Sequence, residues 1–160
     1  ELMSMEITKS NINLATIYRP LNNFFLNPLM EYLRKKYVCS SQIKKGRSGI
    51  KECLEFIDKG YSIALMIDQR LGEGERIKFF NKEAHTTSLP AQLSLKYNLD
   101  IVPIFIEREQ KDYFKMKVYE PFKVSNFKNK FEITLALNQT LEKMIVKNPN
   151  QWIWTHDRWK

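Results

Sequence analysis

The chain is poor in the residues that build covalent or metal-bound scaffolds, with two cysteines and two histidines among 160 residues. Cys39 and Cys53 form neither a CxxC pair nor a zinc-binding spacing, so no disulfide framework, metal site or cofactor is expected. Cys53 falls on the apolar face of a predicted helix. That position favours a reduced core thiol, which suits a cytoplasmic environment.

Long apolar runs are also missing from the sequence. The longest are strand-sized, well short of the roughly 20 residues that a membrane-spanning helix needs, and no signal peptide opens the chain. Because the chain starts at Glu1 and not at a methionine, we expect it to be a portion of a longer protein. Its length predicts a single domain, residues 1–160, with a sizeable core.

Acidic residues are fewer than basic residues, which leaves a net charge of +8 and a pI near 9.4. Such a charge points to anionic partners: nucleic acid, phosphorylated lipid, an acidic carrier protein or a membrane surface. A solvated basic surface without a specific partner is the alternative, and the charge alone does not separate the two.

Hydrophobic periodicity predicts helices and strands that largely alternate. Ser48 is expected to cap the third helix, Gly60 to end it and Asn98 to end the fourth. The β-branched run 101–106 is typical of a strand covered on both faces. The sequence therefore predicts an α/β fold with a mainly parallel sheet flanked by helices. Helices are expected over residues 1–10, 27–36, 48–60, 88–98 and 130–146, and strands over 12–18, 63–67, 77–80, 101–106 and 114–119.

Asp68 and Gln69 stand where the apolar run 63–67 stops. Open α/β sheets bind their ligands at such strand ends. A carboxylate there can orient a substrate hydroxyl group, or it can cap the loop by accepting backbone N–H bonds. Both interpretations stay open, and a loop is expected from residue 68 to residue 76.

Four further residues have a local chemical interpretation. Arg19 offers the paired donors that bind phosphate or carboxylate groups. Thr86 and Thr87 precede a predicted helix, whose N-terminus favours anions, although ordinary helix capping is the favoured explanation. Gly74 belongs to a GxG without a P-loop lysine, which indicates a flexible loop and nothing about nucleotides.

Several short motifs follow one another along the chain: Tyr18-Arg19-Pro20, Asp68-Gln69, Gly74, Phe79-Phe80, Thr86-Thr87 and the tail QWIWTHDRWK at 151–160. In this order they resemble the lipid A biosynthesis acyltransferases, the late lauroyl/myristoyl transferases of Gram-negative bacteria. Three positions depart from the usual family pattern: Lys78 stands where proline is common, Asn81 replaces a glycine and Asp157 replaces an arginine.

This resemblance implies a glycerol-3-phosphate-acyltransferase-like fold, incomplete at its N-terminus. It implies an enzyme of lipopolysaccharide biosynthesis that moves a fatty acyl chain from acyl carrier protein to a hydroxyl of a lipid A precursor. The expected location is the cytoplasmic face of the inner membrane. Acyl carrier protein, the lipid A precursor and an anionic membrane surface are the expected partners, and nucleic acid is not.

The resemblance also implies site residues. Family members use a dyad in which a carboxylate orients a histidine, and Glu1-Leu2-Met3 continues the family pattern around that carboxylate. Glu1 is therefore the expected catalytic residue, with its histidine five residues before the chain. We expect the chain to lack the family's membrane anchor and this histidine, and to be inactive alone. The expected substrate-binding residues are Arg19, Asp68, Gln69, Gly74, Phe79, Phe80, Thr86, Thr87 and Arg158.

The tail itself has two interpretations. Tryptophans beside Arg158 and Lys160 suit an interfacial surface, with cations on lipid phosphates. Core packing of Trp152 and Trp154 is the simpler interpretation, and both can hold.

A nucleic-acid-binding module is the alternative from another functional class. The basic segment 44–51 contains a GxxG at Gly46–Gly49, the loop by which KH domains hold a nucleic-acid backbone. This interpretation leaves the motifs downstream of Gly60 without an explanation.

Overall fold

The computed structural model describes residues 1–70, 72 and 74–160, apart from the side chain of residue 47. The chain forms two compact units, Glu1–Met66 (unit 1) and Ile67–Lys160 (unit 2). Both combine helices and strands, which confirms the α/β class. The predicted loop 68–76 includes Leu71 and Glu73, which lie outside the described residues.

Unit 1 is a small parallel sheet with helices. Strand β1 is central, in the order β2-β1-β3, and pairs Ala15 with Ser41 on one side and with Ile63 on the other. The parallel sheet expected from the alternation of elements is confirmed here. Its elements are α1 (Leu2–Lys9), β1 (Leu14–Tyr18), α2 (Asn27–Tyr37), β2 (Ser41–Lys44), α3 (Arg47–Asp58) and β3 (Ser62–Ala64).

The start of α3 differs from the prediction. The helix begins at Arg47 with Gly46 as its N-cap, so Ser48 lies inside the first turn and is not the cap. Gly46 has φ of +142°, a backbone angle that glycine adopts without strain. The third strand is also shorter than predicted and ends at Ala64, because its pairing with β1 extends only to Thr16.

Close packing explains the second glycine of the GxxG. A Cβ on Gly49 would overlap the carbonyl oxygen of Lys44, so glycine lets α3 approach the end of β2. Ile43 and Cys53 are buried in unit 1, and both cysteines are free thiols, as expected for Cys53. The GxxG therefore has a structural explanation that involves no ligand.

Unit 2 is built on two antiparallel hairpins and a long helix. The prediction of a mainly parallel sheet therefore holds for unit 1 and fails for unit 2. Strand β6 pairs antiparallel with β7, and its residues are half-buried or exposed, so it is not covered on both faces. The elements are β4 (Glu75–Phe79), β5 (Lys82–Thr86), α4 (Leu89–Tyr97), β6 (Ile104–Gln110), β7 (Tyr113–Val118), α5 (Lys130–Lys147) and 3₁₀ turns at Val124–Asn126, Pro149–Gln151 and Trp154–His156.

A two-residue turn connects β4 to β5. Phe80 and Asn81 both have positive φ, 50° and 61°, as in the type I′ turns that suit the twist of hairpins. Asn81 thus adopts the left-handed backbone angle that asparagine tolerates better than most residues. Phe80 is unusual in this region, and its N–H donates to Glu142 Oε1 on α5 at 2.7 Å, which holds the turn in place.

Helix α5 connects the two apolar clusters of unit 2. Ile133 and Leu137 pack with Ala91 and Val124, whereas Leu141 and Ile145 pack with Phe79 and Ala84. These four α5 residues recur every fourth position, which places them along one face of the helix. Asn129 caps its N-terminus by accepting a hydrogen bond from the N–H of Glu132 at 3.0 Å. No helix among the described residues combines the length and the apolar character that crossing a bilayer requires.

Candidate active site

In unit 1, an arginine holds the carboxylate of Glu1. Arg34 Nε on α2 donates to Glu1 Oε1 at 2.7 Å. The Arg34 side chain is 15% exposed and that of Glu1 is 52% exposed, so the cation is the more buried member of the pair. The guanidinium also lies over the Tyr18 ring, 5.3 Å from its centroid. Arg34 therefore fixes one carboxylate oxygen of Glu1.

Sequence reasoning missed Arg34, and the sequence held no evident signal for it. Arg34-Lys35-Lys36 has the pattern of an ordinary basic helix end, and 33 residues separate Arg34 from Glu1. The Nη1 atom of Arg34 is buried and has no hydrogen-bond partner among the described residues. The Nη1 group of Arg34 can therefore donate a hydrogen bond to a further acceptor.

A second polar group surrounds Tyr18 at the end of β1. Glu31 Oε1 accepts hydrogen bonds from Asn27 Nδ2 at 2.8 Å and from Lys44 Nζ at 3.1 Å. These donors, Asn27 first, lower the pKa of Glu31. Burial, followed by a hydrogen bond to Glu31, raises the pKa of Tyr18 to about 12, so its phenol keeps its proton at neutral pH. Arg19 follows directly and is exposed, where it can meet a ligand.

In unit 2, Arg158 is an interior residue and not a surface cation. Its side chain is 1% exposed, and Nη2 donates to Thr86 Oγ1 at 3.0 Å and to Asn138 Oδ1 at 3.1 Å. Its guanidinium lies 4.1 Å from the ring centroid of Phe79. Burial lowers the pKa of Arg158 to about 10, opposed by the charges of Asp68 and Glu142. Arg158 therefore joins β5 to α5.

The tail around Arg158 is partly core. Trp159 stacks on Phe79 with ring centroids 5.6 Å apart, and Trp152 also packs against this cluster. Trp154 and Ile153 are exposed. The core interpretation thus fits Trp152, whereas Trp154 lies at the surface.

Asp68 is a half-buried carboxylate at the start of unit 2. It lies four residues beyond the last residue of β3, so the prediction that it directly follows a strand is wrong; β3 ends where its pairing with β1 ends. Its Oδ1 is buried and has no hydrogen-bond partner in the described part of the chain. Burial raises the pKa of Asp68, although the charges of Arg158 and His156 oppose this. A carboxylate in this state is ready to accept a hydrogen bond.

Asp68→Asn is expected to raise the free energy of unfolding at neutral pH, because burial disfavours the charged carboxylate. The folded-state pKa of Asp68 is raised, so between the unfolded and the folded pKa the folded protein binds more protons than the unfolded chain. The free energy of unfolding of the wild type therefore falls as pH rises from the unfolded pKa through the folded pKa. The gain should be complete above the folded pKa of Asp68 and vanish below the unfolded value of about 3.9. Urea unfolding at several pH values measures it. The exposed Asp112→Asn is the control, and an equal gain at every pH would contradict this explanation.

Thr86 and Thr87 have separate structural roles. Thr86 is buried, donates to the carbonyl oxygen of Ala84 at 3.1 Å and accepts from Arg158. Thr87 Oγ1 accepts from the N–H of Leu89 at 3.4 Å, in the first turn of α4. Of the two, only Thr87 bonds a backbone N–H at the start of α4, where the N-cap residue Ser88 makes no side-chain cap bond. The helix-capping interpretation therefore does not extend to Thr86.

Gly74 and Gln69 lie near the N-terminal end of unit 2. A Cβ on Gly74 would lie 2.7 Å from the backbone nitrogen of Thr86, so glycine is needed for close approach to β5. Gln69 is exposed. Of the predicted substrate-binding residues, the structure gathers Phe79, Thr86 and Arg158 into one cluster.

An open groove of about 780 Å³ lies along α5 in unit 2. Residues far apart in sequence form it, which is why sequence reasoning missed it. Its apolar lining residues are Phe80, Pro103, Tyr119, Phe122, Met144 and Val146. Among the described residues, no group of three histidine, cysteine or acidic side chains is placed to hold a metal ion.

The comparisons with known proteins agree with the motifs. The sequence model of the family described as bacterial lipid A biosynthesis acyltransferase matches residues 1–160. A search of the curated proteins found no match. The matched region includes both Glu1 and Arg158, and thus the polar clusters of both units.

Proposed function

Because the chain belongs to the bacterial lipid A biosynthesis acyltransferase family, we propose that it moves a fatty acyl chain from acyl carrier protein to a hydroxyl of a lipid A precursor. The family match over residues 1–160 carries this proposal. The proposed place of action is the cytoplasmic face of the inner membrane, where an anionic lipid surface meets the basic protein.

The proposed transfer breaks the thioester C–S bond and forms an ester C–O bond. The acceptor hydroxyl oxygen attacks the thioester carbonyl carbon, a histidine five residues before Glu1 takes the hydroxyl proton, and that proton then goes to the departing sulfur. Glu1 orients this imidazole by accepting its N–H bond. The contact of Arg34 with Glu1 Oε1 supports this role, because it fixes the carboxylate and leaves Oε2 for the histidine.

The solvent exposure of the remaining candidate residues decides the role proposed for each. Exposed Arg19 is the proposed clamp for a phosphate of the acceptor. Asp68, whose buried Oδ1 has no hydrogen-bond partner among the described residues, is the proposed acceptor of a substrate hydroxyl bond. Arg158 is buried, so we assign it a positioning role through Thr86 and Asn138 and no direct substrate contact. The groove along α5 is the proposed site for an alkyl chain.

The test is transfer of a labelled acyl chain from acyl carrier protein to a lipid A precursor, using the protein as its gene encodes it. Arg19→Ala is expected to raise KM for the phosphorylated acceptor by about 10–100-fold, the effect of a lost charge-assisted hydrogen bond. Exposed Arg70→Ala is the matched control. Absence of labelled product with every acyl length tried would overturn the proposal, and an unchanged KM would remove Arg19 from the site.

A further inference from the structure

Exposed apolar side chains are concentrated in one segment of unit 1, between the end of β1 and the middle of α2. Phe24 and Phe25, in the loop that connects β1 to α2, are 84% and 88% exposed. Single exposed apolar residues are ordinary, whereas a cluster marks an interaction surface. We name this cluster the aromatic loop patch: Leu21, Phe24, Phe25, Leu26, Leu29 and Tyr32.

Two asparagines fix the backbone of this loop. Asn23 Oδ1 accepts from the N–H groups of Phe25 at 3.0 Å and Leu26 at 3.2 Å, and Asn27 Oδ1 accepts from Leu21 N–H at 2.8 Å. Burying a backbone N–H in an apolar medium without a partner is costly. Because these three amides already have partners, their own entry into an apolar phase avoids that cost.

Cations flank the aromatic loop patch. Arg19 precedes it, and Lys35 and Lys36 follow on α2, all exposed. The carboxylate of Glu31 in the same segment is paired with Lys44 at 3.1 Å. Because Lys44 balances its negative charge, Glu31 does not repel an anionic surface. Aromatic side chains between cations are typical of segments that lie in the headgroup region of anionic bilayers.

We propose that the aromatic loop patch inserts into the interface of an anionic lipid bilayer, with Lys35 and Lys36 on lipid phosphates. The proposal rests on the proposed function in taking a membrane as the partner. Two phenylalanines that are almost fully exposed and flanked by cations fit an anionic lipid phase better than a folded protein partner. Docking of the carrier protein on this patch is the alternative that the test must detect.

The first experiment is co-sedimentation of the protein with phosphatidylcholine vesicles, with and without phosphatidylglycerol. The double variant Phe24→Ser/Phe25→Ser is expected to lower partitioning into both kinds of vesicle by about tenfold or more. Lys35→Gln/Lys36→Gln should weaken binding to the anionic vesicles alone, by about fivefold per lysine. Ile12→Ser/Ile50→Ser, which removes two other exposed apolar side chains of unit 1, is the control.

The second experiment locates the inserted residue directly. Both native cysteines are buried, so Phe25→Cys can be labelled selectively with an environment-sensitive fluorophore, with Ile50→Cys as control. Emission should shift to the blue on vesicle addition for the first probe and not for the second. Equal shifts, or vesicle binding unaffected by the phenylalanine substitutions, would overturn the proposal. The proposal would also be overturned if the phenylalanine substitutions abolished binding of the carrier protein but left vesicle binding intact. Vesicle binding needs no acyl transfer, so failure of the proposed activity is a separate result.

Discussion

Glu1→Gln, in the protein as its gene encodes it, is expected to lower kcat for acyl transfer by about 10²–10⁴-fold, the usual contribution of a positioned acid–base pair. A glutamine side chain keeps the size of Glu1 but could not stabilise the imidazolium that the proposed mechanism forms when its histidine takes the hydroxyl proton. Acyl transfer from a labelled carrier protein measures the change. KM for the acceptor should change little, because the lost interaction belongs to the transition state.

Two companion variants make the Glu1 experiment decisive. Glu6→Gln removes an exposed carboxylate from α1, the helix that Glu1 precedes, where it pairs with Lys9 at 2.6 Å, and should leave kcat unchanged. Arg34→Gln should lower kcat less than Glu1→Gln, because Arg34 acts through Glu1. If Glu1→Gln kept wild-type kcat with an unchanged circular dichroism spectrum, Glu1 would not be the dyad carboxylate.

Arg158→Ala is expected to lower the free energy of unfolding by about 2–5 kcal/mol, the cost of truncating a large buried side chain and leaving its hydrogen-bond partners unpaired. The change leaves Asn138 Oδ1 without its donor and opens a cavity against Phe79. Chemical denaturation followed by circular dichroism measures the loss.

Arg158→Met separates charge from volume in this cluster. Methionine fills part of the same space without a buried charge, so its loss of stability should be clearly smaller than that of Arg158→Ala. The exposed Arg108→Ala is the control for an arginine outside the network. A loss below about 1 kcal/mol for Arg158→Ala, within the range of ordinary surface changes, would show that the network does not stabilise unit 2.

The helices were predictable because their periodicity is long and their caps are chemically distinct. Helix α5 was expected over residues 130–146 and spans Lys130–Lys147. Asn98 was expected to end α4 and does so in a left-handed conformation, φ 52°. In both cases the local sequence and the tertiary packing favour the same structure, which is the condition under which sequence patterns predict well.

Strand β5 was missed because its sequence, Lys-Glu-Ala-His-Thr, is polar and short. Only Ala84 and Thr86 are buried, and they are too small to give a hydrophobic alternation. The signal that could have found it was Asn81, a residue that tolerates positive φ between two short extended pieces. Phe80 obscured this signal, because an aromatic residue at positive φ depends on the contact with Glu142, which is 62 residues away in the sequence.

The candidate site was predictable as a set of residue types but not as an arrangement. The motifs identified Glu1 and Arg158 as site residues. Nothing in the local sequence pattern, however, indicates that Arg34 binds the Glu1 carboxylate or that Arg158 is buried. Both facts depend on long-range packing: Arg158 meets Thr86 across 72 residues. A guanidinium at the surface and one in the interior are identical in sequence, and only the surrounding fold separates a ligand-binding role from a positioning role.

The distribution of tryptophan gives unit 2 an optical label of its own. Trp152, Trp154 and Trp159 are the three tryptophans of the chain, and all lie within Ile67–Lys160. Tryptophan emission therefore follows the unfolding of that unit, whereas far-ultraviolet circular dichroism follows the helices of both. Coincident transitions by the two probes would mean that Glu1–Met66 and Ile67–Lys160 unfold together, and separate transitions would give each unit its own melting curve.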